Sequence, residues 1–414
     1  MMKIKYLDLF AGCGGLTEGF LKSGYFEEIA AVEWQKAQVE TLRNRLKNKW
    51  GYEDADNKVL HFDIQREEEL FKGWKDSQYS ISEGLDKLVQ EADGIDVIIG
   101  GPPCQAYSVA GRVRDENGME DDYRNFLFEH YLNVVSRYKP KLIVFENVPG
   151  MLSATPGGIN VVQAIRNGFD EIGYQIISDL KRFAIVNSKD YGVPQNRKRI
   201  IIIGIRKDST LDSYEIDELL VKFYSEILPK FKSKKEISVF DAISDLAKFE
   251  PIYDNKSHAR KKSYVQIEDS GKSPSNHFPR YHNKRDMDIF HLLAEDIESG
   301  REKFTKSEAI SKLYEEKVGS KSPIHRYHVL RKNLPSTTII AHLKKDGNRF
   351  IHYDSKQCRT LTPREAARIQ TFDDDFEFVA SQGSTFEMIG NAVPPRLAEA
   401  IARAVNDLIN ELKL

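Results

Sequence analysis

Cysteine is scarce in this chain: Cys13, Cys104 and Cys358 are the only three in 414 residues, far apart and with no Cys-x-x-Cys pair. A small, odd and scattered set argues against both a disulfide framework and a zinc site. The histidines offer no substitute, because His258, His277, His282, His325 and His328 are irregularly spaced, and no metal is expected. Long apolar runs are also missing, so no membrane span or membrane partner is expected. Near the amino end Asp8 interrupts the stretch after Lys3 and Lys5 that a signal peptide would need, and the chain reads as cytoplasmic. Repeats and low-complexity tracts are absent, which excludes a solenoid or an array.

A strong charge of one sign is lacking too: the net charge is -2. That value hides an asymmetry. Residues 256–359 hold 22 Lys and Arg against 13 Asp and Glu, a net of +9, while the remainder nets -11. Localised positive charge suits one domain that meets phosphates beside another that does not. What remains is ordinary for a globular protein, 40% hydrophobic and 30% charged, and long enough for two domains.

The first half alternates short apolar runs with helix-like stretches, the pattern of a mainly parallel sheet covered by helices. Strands are expected at 4–9, 29–32, 95–99, 142–145 and 200–205, each rich in Ile, Val or Leu without polar alternation. Continuous apolarity predicts burial on both faces. After Arg206 the texture becomes lysine-rich and weakly periodic, which predicts a second domain. Helices are expected at 286–299, onward to about 317, at 362–370 and at 395–412, the last with Leu397, Ile401, Val405, Leu408 and Leu412 on one face.

Chemistry-bearing residues fall at the ends of the predicted strands. The first strand runs into Phe10-Ala11-Gly12-Cys13-Gly14-Gly15, then a helix from about Leu16; glycines at such a turn let a cofactor approach the backbone. Glu33 ends the next strand, placed to accept from two ribose hydroxyls, and Trp34 offers a stacking surface for adenine. Asp63 and Ile64 stand where a third strand ends, an acceptor for an exocyclic amine beside an apolar wall. No group for a pyrophosphate is required, which suits a nucleoside cofactor better than a dinucleotide. The strand at 95–99 delivers Gly100-Gly101-Pro102-Pro103-Cys104-Gln105 to the same edge. Two prolines stiffen that loop and hold the thiol outside the strand, where ligands bind in such folds. Glu146-Asn147-Val148-Pro149 reaches this edge as well, and a carboxylate so placed can share a proton. Gln195-Asn196-Arg197-Lys198-Arg199 precedes the last strand and brings arginines near the sheet.

Six segments in order resemble the DNA cytosine-5 methyltransferase family: Asp8-Leu9-Phe10-Ala11-Gly12, Gly101-Pro102-Pro103-Cys104-Gln105, Glu146-Asn147-Val148, Gln195-x-Arg197-x-Arg199, Arg359-x-Leu361-Thr362-Pro363-Arg364-Glu365 and Gly390-Asn391-Ala392-Val393-Pro394-Pro395. The resemblance spans almost the whole chain outside 206–358. It implies an α/β, Rossmann-like, S-adenosylmethionine-dependent methyltransferase domain at 1–205. A smaller target-recognition domain would occupy 206–358, and 359–414 would return to the catalytic domain. It also implies a mechanism. Cytosine carbon 5 is a poor nucleophile, so the Cys104 thiolate adds at carbon 6, Glu146 bonds or protonates ring nitrogen 3, and Arg197 and Arg199 hold the carbonyl oxygen and Glu146. The cofactor pocket takes Phe10, Ala11, Gly12, Cys13, Gly14, Gly15, Glu33, Trp34, Asp63, Ile64, Pro103 and Leu127, with Asn391 and Val393 arriving from the far end. The base must leave the duplex to be reached, and the segment 106–124 resembles the family's loop that closes over it. Thr337 or Thr338, followed by Ile339, matches a threonine-aliphatic pair that the family places near DNA.

Double-stranded DNA is then the partner, joined by a cognate restriction endonuclease if the chain serves a bacterial restriction-modification system, as its compact length suggests. The rival within the fold, a transfer RNA cytosine-5 methyltransferase, would carry Cys-Phe-Thr, whereas Cys358 is followed by Arg359. A nicotinamide oxidoreductase would leave Cys104 and the carboxyl-terminal motif unexplained. A catalytically dead DNA-binding paralogue would not need Cys104, Glu146 and both arginines.

Overall fold

The computed structural model describes residues 3–103, 127–154, 160–207, 211–253, 262–320 and 327–412. Cys104, the segment 106–124, His258 and His325 lie outside the described residues. The chain divides into two compact units: one comprises 1–192, 198–234 and 393–414, the other 193–197 and 235–392.

In the first unit an eight-stranded sheet forms from β1 (Ile4–Leu9), β2 (Phe26–Glu33), β3 (Val59–His61), β4 (Val97–Gly100), β5 (Leu142–Asn147), β6 (Tyr174–Ile176), β7 (Ile185–Asn187) and β8 (Lys198–Arg206). The order is β3-β2-β1-β4-β5-β8-β6, with β7 also on β8. The first five strands are mutually parallel, and β8 runs antiparallel to β5, β6 and β7. Residues 97–99, 142–144 and 200–203 are fully buried, which is why these runs show no alternation. Reversal of strand order between β1 and β4 opens a crevice at the carboxyl ends of the strands, the ligand edge of such sheets.

Helix α1 (Gly15–Lys22) follows β1 and packs against α9 (Pro395–Glu411), the last helix. A side chain at Gly19 would place its first carbon 2.4 Å from Ala398 Cβ and 2.5 Å from Pro395 O. The two backbones therefore touch, and the apolar face of α9 (Leu397, Ile401, Val405, Leu408) is buried. Arg45 and Glu18 form a buried two-point ion pair beneath α1, at 2.6 and 2.9 Å.

The second unit is built round a polar centre. Arg359 clasps Glu365 with two bonds of 2.6 and 2.7 Å, both side chains buried, and Gln357 Oε1 accepts from the same guanidinium. Burial opposes ionisation of Glu365, yet Arg359 holds its carboxyl far below the usual range. Thr362 and Glu365 form a capping box that starts the helix Pro363–Ile369. A separate apolar cluster gathers Ile289, Phe290, Leu293, Ile310 and Leu313, joining the helices Lys284–Glu298 and Ser307–Val318.

This division differs from the boundaries expected at 205/206 and 358/359. Residues 211–234 belong with the sheet because Ile216, Leu220, Phe223 and Ile227 are buried there. Tyr224 hydroxyl also bonds Ile203 N–H and Ile201 O, each at 2.9 Å. Residues 359–392 belong with the second unit because Arg359, Glu365 and Arg364 make its buried polar network. Strands and helices otherwise deviate from expectation mainly at their ends, and the stretch 300–306 before the helix Ser307–Val318 is not helical.

Candidate active site

Register aligns the carboxyl ends of four strands: Leu9 stands opposite Val32 and Gly100, and Glu33 opposite His61. Along one edge the chain thus places 63–64, 33–34, 10–15 and 101–103 in succession, with Glu146 beyond. Phe10 takes a φ of 60°, uncommon for a residue with a side chain and a mark of a constrained turn. Gly12 N–H donates to Glu33 Oε2 at 3.0 Å, and Gln35 N–H donates to Oε1 at 2.7 Å. Burial pushes the Glu33 carboxyl up to about 7, with those N–H donors pulling the other way. Cys13 is buried, its thiol pushed up to about 12 by desolvation. It is a packing residue, and its backbone is what the turn offers.

Trp34 is 51% exposed on the rim, Ile64 and Leu127 are buried, and Asp63 accepts from Gln65 N–H at 3.0 Å. Pro103 is half-buried at the end of the described loop. Val393 is buried in the first unit, whereas Asn391 closes the helix Gln382–Asn391 of the second.

The edge at Glu146 is tightly built. Arg199 Nε donates to Glu146 Oε1 at 2.8 Å, both side chains largely enclosed. Burial lowers the Arg199 pKa, with Glu146 opposing the shift. An added carbon at Gly101 would fall 2.8 Å from Glu146 Oε2. Only glycine lets the chain leading to Cys104 run so close to that carboxylate. Asn147 Nδ2 ties the same loop through Pro102 O at 3.4 Å.

The two arginines differ in their partners. Arg197 donates to the carbonyls of Ile339 (2.7 Å), Gly390 (3.2 Å) and Ala392 (3.0 Å), all within the second unit. Those bonds engage both terminal nitrogens and tie Arg197 into the second unit, whereas Arg199 is the arginine bonded to Glu146. Gln195 is tied in likewise: its amide accepts from Ile339 N–H and donates to Gln370 Oε1, both at 2.8 Å. Sequence reasoning quoted Gln195 and Asn147 inside motifs but gave them no role, because neither carries charge or nucleophilicity. It also missed a buried group under the glycine turn. There Asp8 accepts from Thr17 at 2.7 Å and Glu28 from Tyr6 at 2.9 Å, and burial raises both carboxyls, Glu28 to about 7. A signal was present at Asp8, an acid inside the strand expected at 4–9, whereas Glu28 lies one residue before the strand expected at 29–32.

A mainly parallel sheet with the single antiparallel strand β8, a glycine turn, a buried carboxylate at the end of β2 and a prepared second carboxylate on β5 defines a Rossmann-like group-transfer enzyme. The model of the C-5 cytosine-specific DNA methylase family matches residues 4–407. The chain belongs to that family and methylates carbon 5 of cytosine in DNA. Type II methyltransferase M.Bpa9945I of Bacillus paralicheniformis is 33% identical, covering 98% of this chain and 99% of its own. M.DdeI, the type II methyltransferase of Desulfomicrobium norvegicum, is 30% identical over 99% and 90%. Among solved structures, an Escherichia coli prophage-encoded methyltransferase shares the fold at a TM-score of 0.62 and 22% identity, covering 99% of this chain and all of that one. A transfer RNA substrate is not favoured by these relationships.

Proposed function

We propose that this DNA methyltransferase works through a covalent Cys104 adduct, with S-adenosylmethionine at the β1–β3 edge and the second unit as its target-recognition domain. One observation carries the reading: the loop ending at Pro103 is pressed against the Arg199–Glu146 pair through Gly101. The described part of the loop that leads to Cys104 thus runs beside a carboxylate able to share a proton. The Cys104 thiolate forms a bond to carbon 6 of an extrahelical cytosine, and the ring electrons move toward nitrogen 3 and the carbonyl oxygen. Glu146, fixed by Arg199, shares its proton at nitrogen 3. A free thiol has a pKa of about 8.5, so positive charge such as Arg199 helps to sustain the thiolate. Loss of the carbon 5 proton to a base then lets the ring electrons return and expel Cys104.

The cofactor fits the residues present. Glu33 has a buried carboxylate facing the glycine turn, matched to ribose hydroxyls, while Trp34, Asp63, Ile64 and Leu127 offer apolar and amine-accepting contacts; Val393 completes the set by family likeness. Bound there, S-adenosylmethionine supplies the electrophilic methyl that activated carbon 5 takes up. By family likeness the segment 106–124, outside the described residues, corresponds to the loop that closes over the flipped base. The type II relatives support a role in a restriction-modification system, in which methylation protects DNA against a cognate endonuclease.

The test is a mechanism-based trap. Duplex DNA carrying 5-fluorocytosine at the target, with cofactor supplied, is expected to give a denaturation-resistant protein–DNA adduct mapping to Cys104. Cys104→Ser should lose both adduct and turnover yet retain DNA binding. An absent adduct with the wild type sinks the covalent route.

A further inference from the structure

The proposed function leaves open which side chains read the recognition sequence; the following rests on the second unit being the domain that meets DNA. Residues 275–283 carry no helix or strand, yet they are fastened along their length. Asn276 O accepts from Arg364 N–H at 3.1 Å, and Asn276 Oδ1 from Phe378 N–H at 3.3 Å. The His277 ring bridges Thr362 Oγ1 (3.0 Å) and Ala247 O (2.8 Å). Arg280 donates to Leu343 O at 2.7 Å and lies over the Phe386 ring. His282 bonds Thr360 Oγ1 at 3.1 Å, and its N–H donates to Ser263 Oγ at 2.9 Å.

Between these inward anchors, Phe278 and Tyr281 turn outward, 46% and 50% exposed. Pro279 stiffens the backbone between them. A segment held at 276, 277, 280 and 282 fixes where its two aromatics stand. About half of each residue's surface is open to a partner, and rigid aromatics give up little conformational freedom on contact and suit a binding surface. Lys284 and Arg285 follow at once, exposed, within the stretch that nets +9. That charge favours a polyanion over a second copy of the same surface.

We infer that Phe278 and Tyr281 are specificity-determining residues that contact base edges of the recognition sequence in duplex DNA. Basic side chains on phosphates orient a duplex without reading it, while apolar contact with groups such as the thymine methyl discriminates sequence.

The test uses the full chain. Bisulfite sequencing of DNA from cells expressing the wild type gives the methylated motif. Affinity is then measured for a duplex with that motif and for one without it, across a salt series, with the wild type and with Phe278→Ala/Tyr281→Ala. We expect the double variant to lose at least tenfold of the ratio between the two duplexes, with the salt dependence on the non-cognate duplex and the thermal midpoint unchanged. Phe278→Ser and Tyr281→Ser, made singly, carry the same expectation should the double variant not fold. A ratio within twofold of the wild type overturns the inference while leaving the proposed function standing. So does a wild type that self-associates through these aromatics, seen as a dimer that the variant abolishes. A wild type that methylates no cytosine fails the functional reading itself, and the inference falls with it.

Discussion

At the scale of single residues, two predictions follow from how carboxylates are held. Burial raises Glu33 to about 7 in the cofactor-free protein, so its neutral form dominates below that pH. Its contribution to stability is full below the unfolded carboxylate range and is lost as pH rises through about 7. Ribose hydroxyls donating to Glu33 favour the carboxylate instead. S-adenosylmethionine should therefore bind best above pH 7 and weaken by up to roughly tenfold per pH unit below it, a dependence that calorimetry should find flattened in Glu33→Gln. At Gly101 the steric margin is smaller than a methyl group. Gly101→Ala forces Glu146 or the Cys104 loop to move, and we expect kcat to fall on the order of 100-fold with cofactor affinity unchanged, as measured by single-turnover methylation and calorimetry. Glu33, Glu146 and the glycine turn were legible in the sequence because each ends a predicted strand. The carbonyl partners of Arg197 were not, because spacing does not show which groups distant in sequence a guanidinium will meet.

At the scale of elements, the packing of α1 on α9 depends on Gly19, where contact is with backbone as well as with Ala398. Backbone cannot swing aside as a flexible side chain can, so the helices must separate to admit a larger residue. Gly19→Val should lower stability by about 2–3 kcal/mol, read by urea unfolding, whereas valine at half-buried Gly383, which has nothing near it, should change stability by roughly 0.5 kcal/mol or less. The apolar spacing at Leu397, Ile401, Val405 and Leu408 foretold the buried face of α9, because helical period is a local property. Its counterpart at Gly19 gave no warning, since a glycine inside a helix carries no mark of what approaches it. Strand ends blurred for the same reason: β2 extends to Phe26 and Glu33 through pairing with β1 and β3, which its own residues do not encode.

At the scale of the whole molecule, the chain leaves and re-enters the sheet-bearing unit at positions that composition does not mark. The change of texture after Arg206 is real, but it precedes the transfer to the second unit at 234/235, because 211–234 still cover the sheet. The re-entry at 392/393 is hidden inside a run of motif residues. Excision tests this division. Ser233 N–H bonds Asp190 O at 2.8 Å, and Arg396 bonds Gly192 O at 3.1 Å, so the two cut ends of the first unit flank one short segment. Replacing 235–392 by a brief Gly/Ser linker, with Arg197→Gln to remove a guanidinium that has lost its carbonyls, should leave a domain that melts cooperatively and binds S-adenosylmethionine without binding DNA. Removing 206–358 instead takes away Ile216, Phe223 and the Tyr224 hydroxyl from the sheet and leaves 359–392 without the residues that bury them. That chain should show no cooperative transition by calorimetry. Equal behaviour of the two deletions would mean that the sheet does not need 211–234.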